Sequence, residues 1–105
     1  MPNFQKVATL GQLGPGKAME IEVNGEQIAL CNVEGNIHAV SGVCPHAGGP
    51  LAEGELQDNV LTCPLHGWQF EVDSGRCMRI PAMKLKTYQV KVEGNDILLS
   101  IDADS

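Results

Sequence analysis

A chain of 105 residues, 43% of them hydrophobic, is long enough for one domain with a modest core and too short for two. Thirteen carboxylates against seven Lys and Arg leave a net charge of −6, which argues against a phosphate-backbone partner such as nucleic acid and for a basic one. No apolar run approaches the roughly 20 residues of a membrane-spanning helix. The start, Met1-Pro2-Asn3-Phe4-Gln5-Lys6, lacks the apolar centre of a signal peptide, so a soluble, cytoplasmic chain without membrane contact is expected.

In chain order, Gln5 to Leu10 alternates in part and predicts a short strand, and Gly11-Gln12-Leu13-Gly14-Pro15-Gly16 predicts a loop. Lys17 to Val23 alternates through Met19, Ile21 and Val23; Asn24-Gly25 is then the strongest hairpin signal in the chain, and Gln27 to Val33 returns as a strand. A second hairpin runs through Glu34-Gly35-Asn36 into Ile37 to Val40, and these elements together read as an antiparallel meander. Further on, a turn at Gln57-Asp58-Asn59 precedes a strand at Val60-Leu61-Thr62, and Trp68 to Val72 forms an outgoing strand turned by Asp73-Ser74-Gly75. Ile80-Pro81-Ala82 is expected to be an irregular crossing. Thr87 to Val92 and Ile97 to Ile101 then pair about Gly94-Asn95, and Asp102 to Ser105 is expected to fray. With no ten-residue helical period anywhere, the fold class is all-β, an antiparallel sandwich or barrel.

Two loops carry the chemistry: Cys44-Pro45-His46-Ala47-Gly48-Gly49 and Cys63-Pro64-Leu65-His66-Gly67-Trp68. Each offers one thiolate and one imidazole, the soft and borderline ligands that bind transition metals strongly, beside glycines that allow close backbone approach. Two ligands of each kind suit either one tetrahedral zinc or a [2Fe-2S] cluster with two cysteines on one iron and two histidines on the other. One-residue ligand spacing is tighter than that of zinc fingers and favours the cluster.

The pairing of Cys-x-His with Cys-x-x-His, with a proline after each cysteine and glycines after each half, resembles the Rieske [2Fe-2S] family, from roughly Gly25 to Ile101. The resemblance implies a Rieske-type fold: a single domain over residues 1–105, with residues 43–81 inserted in it as a small cluster-binding subdomain at one end. It also implies one [2Fe-2S] cluster per chain, with Cys44 and Cys63 on the inner iron and His46 and His66 on the outer iron. High-potential members carry an extra cysteine in each loop where this chain has Gly49 and Leu65, and a serine and a tyrosine where it has Trp68 and Phe70. Hydroxyls that donate to sulfur stabilise the reduced cluster, so their loss implies a potential at the low end, about −150 mV rather than about +300 mV.

The implied function is that of a soluble Rieske-type ferredoxin. Such a protein is a one-electron carrier between an NAD(P)H-dependent flavin reductase and the terminal oxygenase of a ring-hydroxylating system, each partner docking transiently near His46 and His66. An oxygenase subunit fails on inventory, because a mononuclear iron site needs two further histidines and a carboxylate, and only His38 is left. The small subunit of an NAD(P)H nitrite reductase shares the fold and is the alternative; a zinc-stabilised binding module is a weaker one.

Four residues besides the expected ligands invite a role. Cys31, in an apolar strand, is expected to be a buried small residue, whereas Cys77 follows a turn and is expected to be more exposed. A disulfide between them stays open, though a cytoplasmic setting disfavours it. His38 is expected to face solvent, and Trp68 to shield the cluster from water. Positive charges gather late, at Arg76, Arg79, Lys84 and Lys86, and leave a polarised surface suited to transient docking.

Overall fold

The computed structural model describes residues 4–43, 50–65, 67–80 and 83–100. Alternating apolar residues produce nine strands: β1 (Phe4–Thr9), β2 (Ala18–Val23), β3 (Glu26–Val33), β4 (Asn36–Ser41), β5 (Glu55–Gln57), β6 (Val60–Thr62), β7 (Gln69–Glu71), β8 (Thr87–Glu93) and β9 (Asp96–Ser100). Six of them form one antiparallel sheet in the order β1-β9-β8-β4-β3-β2. β2, β3 and β4 are the expected meander. β1 instead pairs with β9, Phe4 opposite Ser100 and Thr9 opposite Asp96, so the two ends of the described chain lie side by side. An edge strand takes whichever free neighbour its twisted sheet brings round, which the hairpin rules cannot foresee. The sheet curls nearly closed, as a barrel. A cleft of about 330 Å³ between β1 and β2, lined by Lys6, Val7, Ile21 and Val23 among others, marks the seam.

Four hairpins have two-residue turns, and each turns through positive φ. Asn24 and Gly25 stand at 52° and 83°, and Glu34 and Gly35 at 52° and 95°. Positive φ at both central residues is the twist that matches paired strands, which is why Asn-Gly read so clearly.

β3 is buried on both faces. Ile28 and Leu30 point into a core shared with Leu13, Ala39, Tyr88, Ile97 and Leu99, inside the barrel. Ala29 and Cys31 point the other way, into a second core built from Leu51, Leu61, Cys63, Phe70, Val72, Cys77 and Leu85. A strand sandwiched in this way needs a continuous apolar run, and Ile28-Ala29-Leu30-Cys31 is that run. Asn32, which ends it, is buried and satisfied: its Nδ2 donates to the Leu13 carbonyl at 2.8 Å, and its Oδ1 accepts from the Gly35 amide at 2.7 Å.

The second core lies under a three-stranded sheet, β5-β6-β7, which is inserted in the chain between β4 and β8. Its first strand went unread because three residues, Glu55-Leu56-Gln57, are too few to display a period of two. Two 3-10 turns, Leu10–Gln12 and Leu51–Glu53, were likewise unread.

Tyr88 ties the start of β3 to β8. Its hydroxyl donates to Glu26 Oε1 at 2.8 Å, and Lys86 Nζ lies 3.4 Å from the same oxygen. The bond from Tyr88, with help from Lys86, holds the Glu26 carboxyl below the usual carboxylate range. Burial, and then the Glu26 carboxylate, push the Tyr88 phenol up. A depressed carboxyl stabilises the fold above its unfolded pKa, about 4, and that support is lost as pH falls through the folded value; a raised phenol stabilises below about 10 and is lost as pH rises through its folded value. Tyr88→Phe is therefore expected to lower the thermal midpoint between these limits and to flatten its acid limb. A midpoint unchanged at pH 7 would show that the pair contributes nothing.

Candidate metal centre

Cys63 follows β6 directly and is 1% exposed, inside the second core. Its amide donates to the Trp68 carbonyl at 2.7 Å, and its carbonyl accepts from the Gly67 amide at 3.0 Å. The segment from 63 to 68 is thus a closed loop with its cysteine turned inward. Leu65 faces outward, 54% exposed.

The other motif loop is closed at its base. Val43 bridges Pro50, and the Leu51 amide donates to the Gly42 carbonyl at 2.9 Å. Leu51 then enters the same core as Cys63. The two loops therefore spring from one apolar floor. Cys44, His46 and His66 lie outside the described residues; Cys63 is the expected ligand whose surroundings are on view. A buried cysteine on a rigid strand end, with a second Cys/His loop rooted in the same core, fits the inner side of a two-iron, mixed-ligand cluster. An apolar floor also limits water, which favours strong thiolate–metal bonding.

A third segment flanks these loops. Phe70 bridges Cys77, the Met78 amide donates to the Gln69 carbonyl at 2.8 Å, and Arg76 bridges Lys84. Residues 76–78 thereby add a further rung beside β7. This placement overturns the expectation that Cys77 is more exposed. Its side chain is fully buried and accepts from the Ile80 amide at 3.5 Å, because alternation beside the bridge turns residue 77 inward and 76 and 78 outward. Cys31 is buried as expected, and burial pushes its thiol up to about 12. Both are free thiols, so no disulfide joins them.

Trp68 is half-buried against the core that holds Cys63, and the Arg79 guanidinium lies over its ring, 5.8 Å from the centroid. Phe70 is completely buried, an apolar floor residue with no hydroxyl to offer sulfur. His38 is half-buried rather than solvent-facing: it sits opposite Cys31 on β4, a strand flanked by β3 and β8. The sequence reading passed over Met78 and Ile80, which are 53% and 40% exposed. Their signal was an apolar residue on each side of Arg79 in a stretch free of carboxylates.

Comparison with known proteins agrees with this geometry. The family model described as "Rieske [2Fe-2S] domain" matches residues 3–98. The ferredoxin component of biphenyl 2,3-dioxygenase from Rhodococcus jostii (strain RHA1) is 39% identical over 98 residues, covering 92% of each chain. Among solved structures, the ferredoxin of carbazole 1,9a-dioxygenase from Nocardioides aromaticivorans IC177 is 31% identical with a TM-score of 0.87, covering 93% of this chain and 97% of that one. A chain from a complex of reduced oxygenase and oxidized ferredoxin in carbazole 1,9a-dioxygenase is 26% identical with a TM-score of 0.85, covering 92% of each. With a buried cysteine at the end of β6, two Cys/His loops rooted in one core and a match along nearly its whole length, the chain belongs to the Rieske [2Fe-2S] family, whose cofactor is one such cluster.

Proposed function

We propose that this chain is the ferredoxin component of an oxygenase system, a cytoplasmic one-electron carrier that performs no catalysis itself. It takes electrons from an NAD(P)H-dependent flavin reductase and passes them to a terminal, ring-hydroxylating oxygenase. The observation that carries the reading is 39% identity, over 92% of both chains, to a dioxygenase ferredoxin component. Residues 43–81 act as the cluster-binding subdomain within a single domain of residues 1–105. The separate sheet β5-β6-β7, packed over a core that it shares with β3 and β4, supports that division.

In this reading Cys44 and Cys63 hold the inner iron, and His46 and His66 hold the outer one. The cluster supplies a site that accepts and releases single electrons. The protein's share is to keep water from the thiolates, which the burial of Cys63, Phe70 and Leu61 supports, and to set the potential. Trp68, packed against that core, shields the cluster from water.

The test is the visible spectrum of freshly purified protein, EPR after dithionite reduction, and voltammetry. The expected protein is red-brown, with a reduced signal whose average g lies below that of all-cysteine [2Fe-2S] proteins and a midpoint near about −150 mV. A colourless protein with stoichiometric zinc would overturn the carrier reading, and a midpoint well above zero would overturn the account of Trp68 and Phe70. Stable copurification with a large sirohaem flavoprotein would turn the assignment to a nitrite reductase subunit.

A further inference from the structure

Five large hydrophobic side chains stand exposed among the described residues: Val43, Leu65, Met78, Ile80 and Val92. Four of these flank the proposed cluster. Val43 precedes Cys44, Leu65 lies between Cys63 and His66, and Met78 and Ile80 stand on the segment that continues past β7. Only Val92 lies elsewhere, on β8. Exposed apolar residues scattered singly carry no message, but a group gathered at one end does.

Charge sets the same stretches of chain apart. All thirteen carboxylates fall outside residues 35–52, 59–70 and 74–92, the stretches that bear the four apolar residues. In a chain of net charge −6 those stretches carry no anion; the carboxylates that come near them are Asp58, which lines a cleft with Met78, and Glu55, opposite Thr62. Arg79 is exposed there, between Met78 and Ile80. The ion pairs of the described residues engage Lys6, Lys86 and Lys91; Arg79 is in none of them. It lies instead over the Trp68 ring, and a shallow cleft of about 340 Å³ bounded by Gly67, Trp68, Gln69, Met78 and Arg79 opens beside it. A guanidinium held over an aromatic face is pre-oriented yet keeps its donors for a carboxylate.

We infer that Leu65, Met78, Ile80 and Arg79 form the docking surface for the terminal oxygenase, whose matching face is apolar and presents a carboxylate to Arg79. The inference rests on the function proposed above and gives that function its contact residues. Apolar area supplies the attraction at contact, and the guanidinium fixes the orientation that brings the outer edge of the cluster to the acceptor. Acidic residues at the margin, such as Glu53, Glu55 and Asp58, govern the approach at longer range, where the net charge is felt.

The test uses the full chain with its cluster, reduced by dithionite and mixed in stopped flow with the oxygenase component of the biphenyl 2,3-dioxygenase system of Rhodococcus jostii RHA1; reduction by that system's reductase is followed in parallel. Met78→Ser with Ile80→Ser, and separately Arg79→Glu, are expected to raise the half-saturating oxygenase concentration about tenfold. The limiting rate and the midpoint potential are expected to stay unchanged. Val92→Ser and Lys17→Glu, an exposed apolar residue and an exposed cation elsewhere, are expected to change nothing. Half-saturation unmoved by the first set, or moved equally by the controls, would overturn the surface. Slowing confined to the reductase step would overturn the choice of occupant. Absence of transfer to the oxygenase from an unsubstituted chain that holds its cluster would overturn the oxygenase-system reading, and the docking surface with it.

Discussion

Gly54→Ala is expected to unfold the cluster-binding end of this protein. Gly54 follows the 3-10 turn Leu51–Glu53 with φ at −80°, a conformation that alanine adopts freely, so the obstacle is space. A Cβ built there would overlap the Thr62 carbonyl oxygen and stand 3.2 Å from that of Leu51. Real side-chain carbons never approach a backbone atom so closely, and Thr62 cannot withdraw, because it pairs with Glu55 on one side and Gln69 on the other. The strand that would have to move is β6, which carries Cys63 at its end. Forced displacement of a paired central strand belongs with the severe class of substitutions, on the order of 4 kcal/mol or more against a total stability of about 5–15 kcal/mol. The expected outcome is a protein that loses cluster absorbance and unfolds well below the unsubstituted chain. Gly25→Ala is the contrast: φ is +83° and no atom lies within 4 Å, so the cost is only backbone strain, about 1–2 kcal/mol. Equal melting of the two variants would show that β6 shifts freely and that the tight contact is unimportant.

Ligand substitution carries the other large effect. Cys44→Ser, His46→Ala, Cys63→Ser and His66→Ala are each expected to abolish the visible absorbance and the reduced EPR signal, because a two-iron cluster stripped of a ligand has no spare donor of the right kind. Cys31→Ser and Cys77→Ser are expected to keep both. Cys31 lies on β3 beneath the second core, and Cys77 is turned inward beside Phe70 with its sulfur already accepting from the Ile80 amide. A serine at either buried site is expected to cost about 1–3 kcal/mol through an imperfectly satisfied hydroxyl, without change in the spectrum. Retention of the mixed-ligand signal in Cys63→Ser would overturn the ligand assignment. Its loss in Cys77→Ser, in a variant that still melts cooperatively, would add a residue to the site.

The boundary between what was readable and what was not follows the range of the forces involved. The hairpins at Asn24-Gly25, Glu34-Gly35 and Gly94-Asn95 were legible because a two-residue turn and the alternation beside it are local, decided within about ten residues. β5 was too short to show a period, and the 3-10 turns obey no apolar spacing. Cys77 was misjudged for a related reason. Its neighbours in sequence suggest a turn, and only the bridge to Phe70 sets which way it points. His38 likewise reads as a polar residue in a hairpin, and only the folded sheet, with β4 between β3 and β8, leaves it half-buried.

By itself the sequence determined the all-β class, the strand-and-turn order, the two Cys/His loops and, through them, the family, since each depends on residues close together in the chain. The tertiary structure alone decided that β1 closes against β9, that β3 serves two cores at once, that Gly54 has no room for a methyl group, and that Met78 and Arg79 meet Gly67 and Trp68 at the surface. Those outcomes depend on segments dozens of residues apart meeting in space. Twist and packing arrange such meetings, and no local pattern records them.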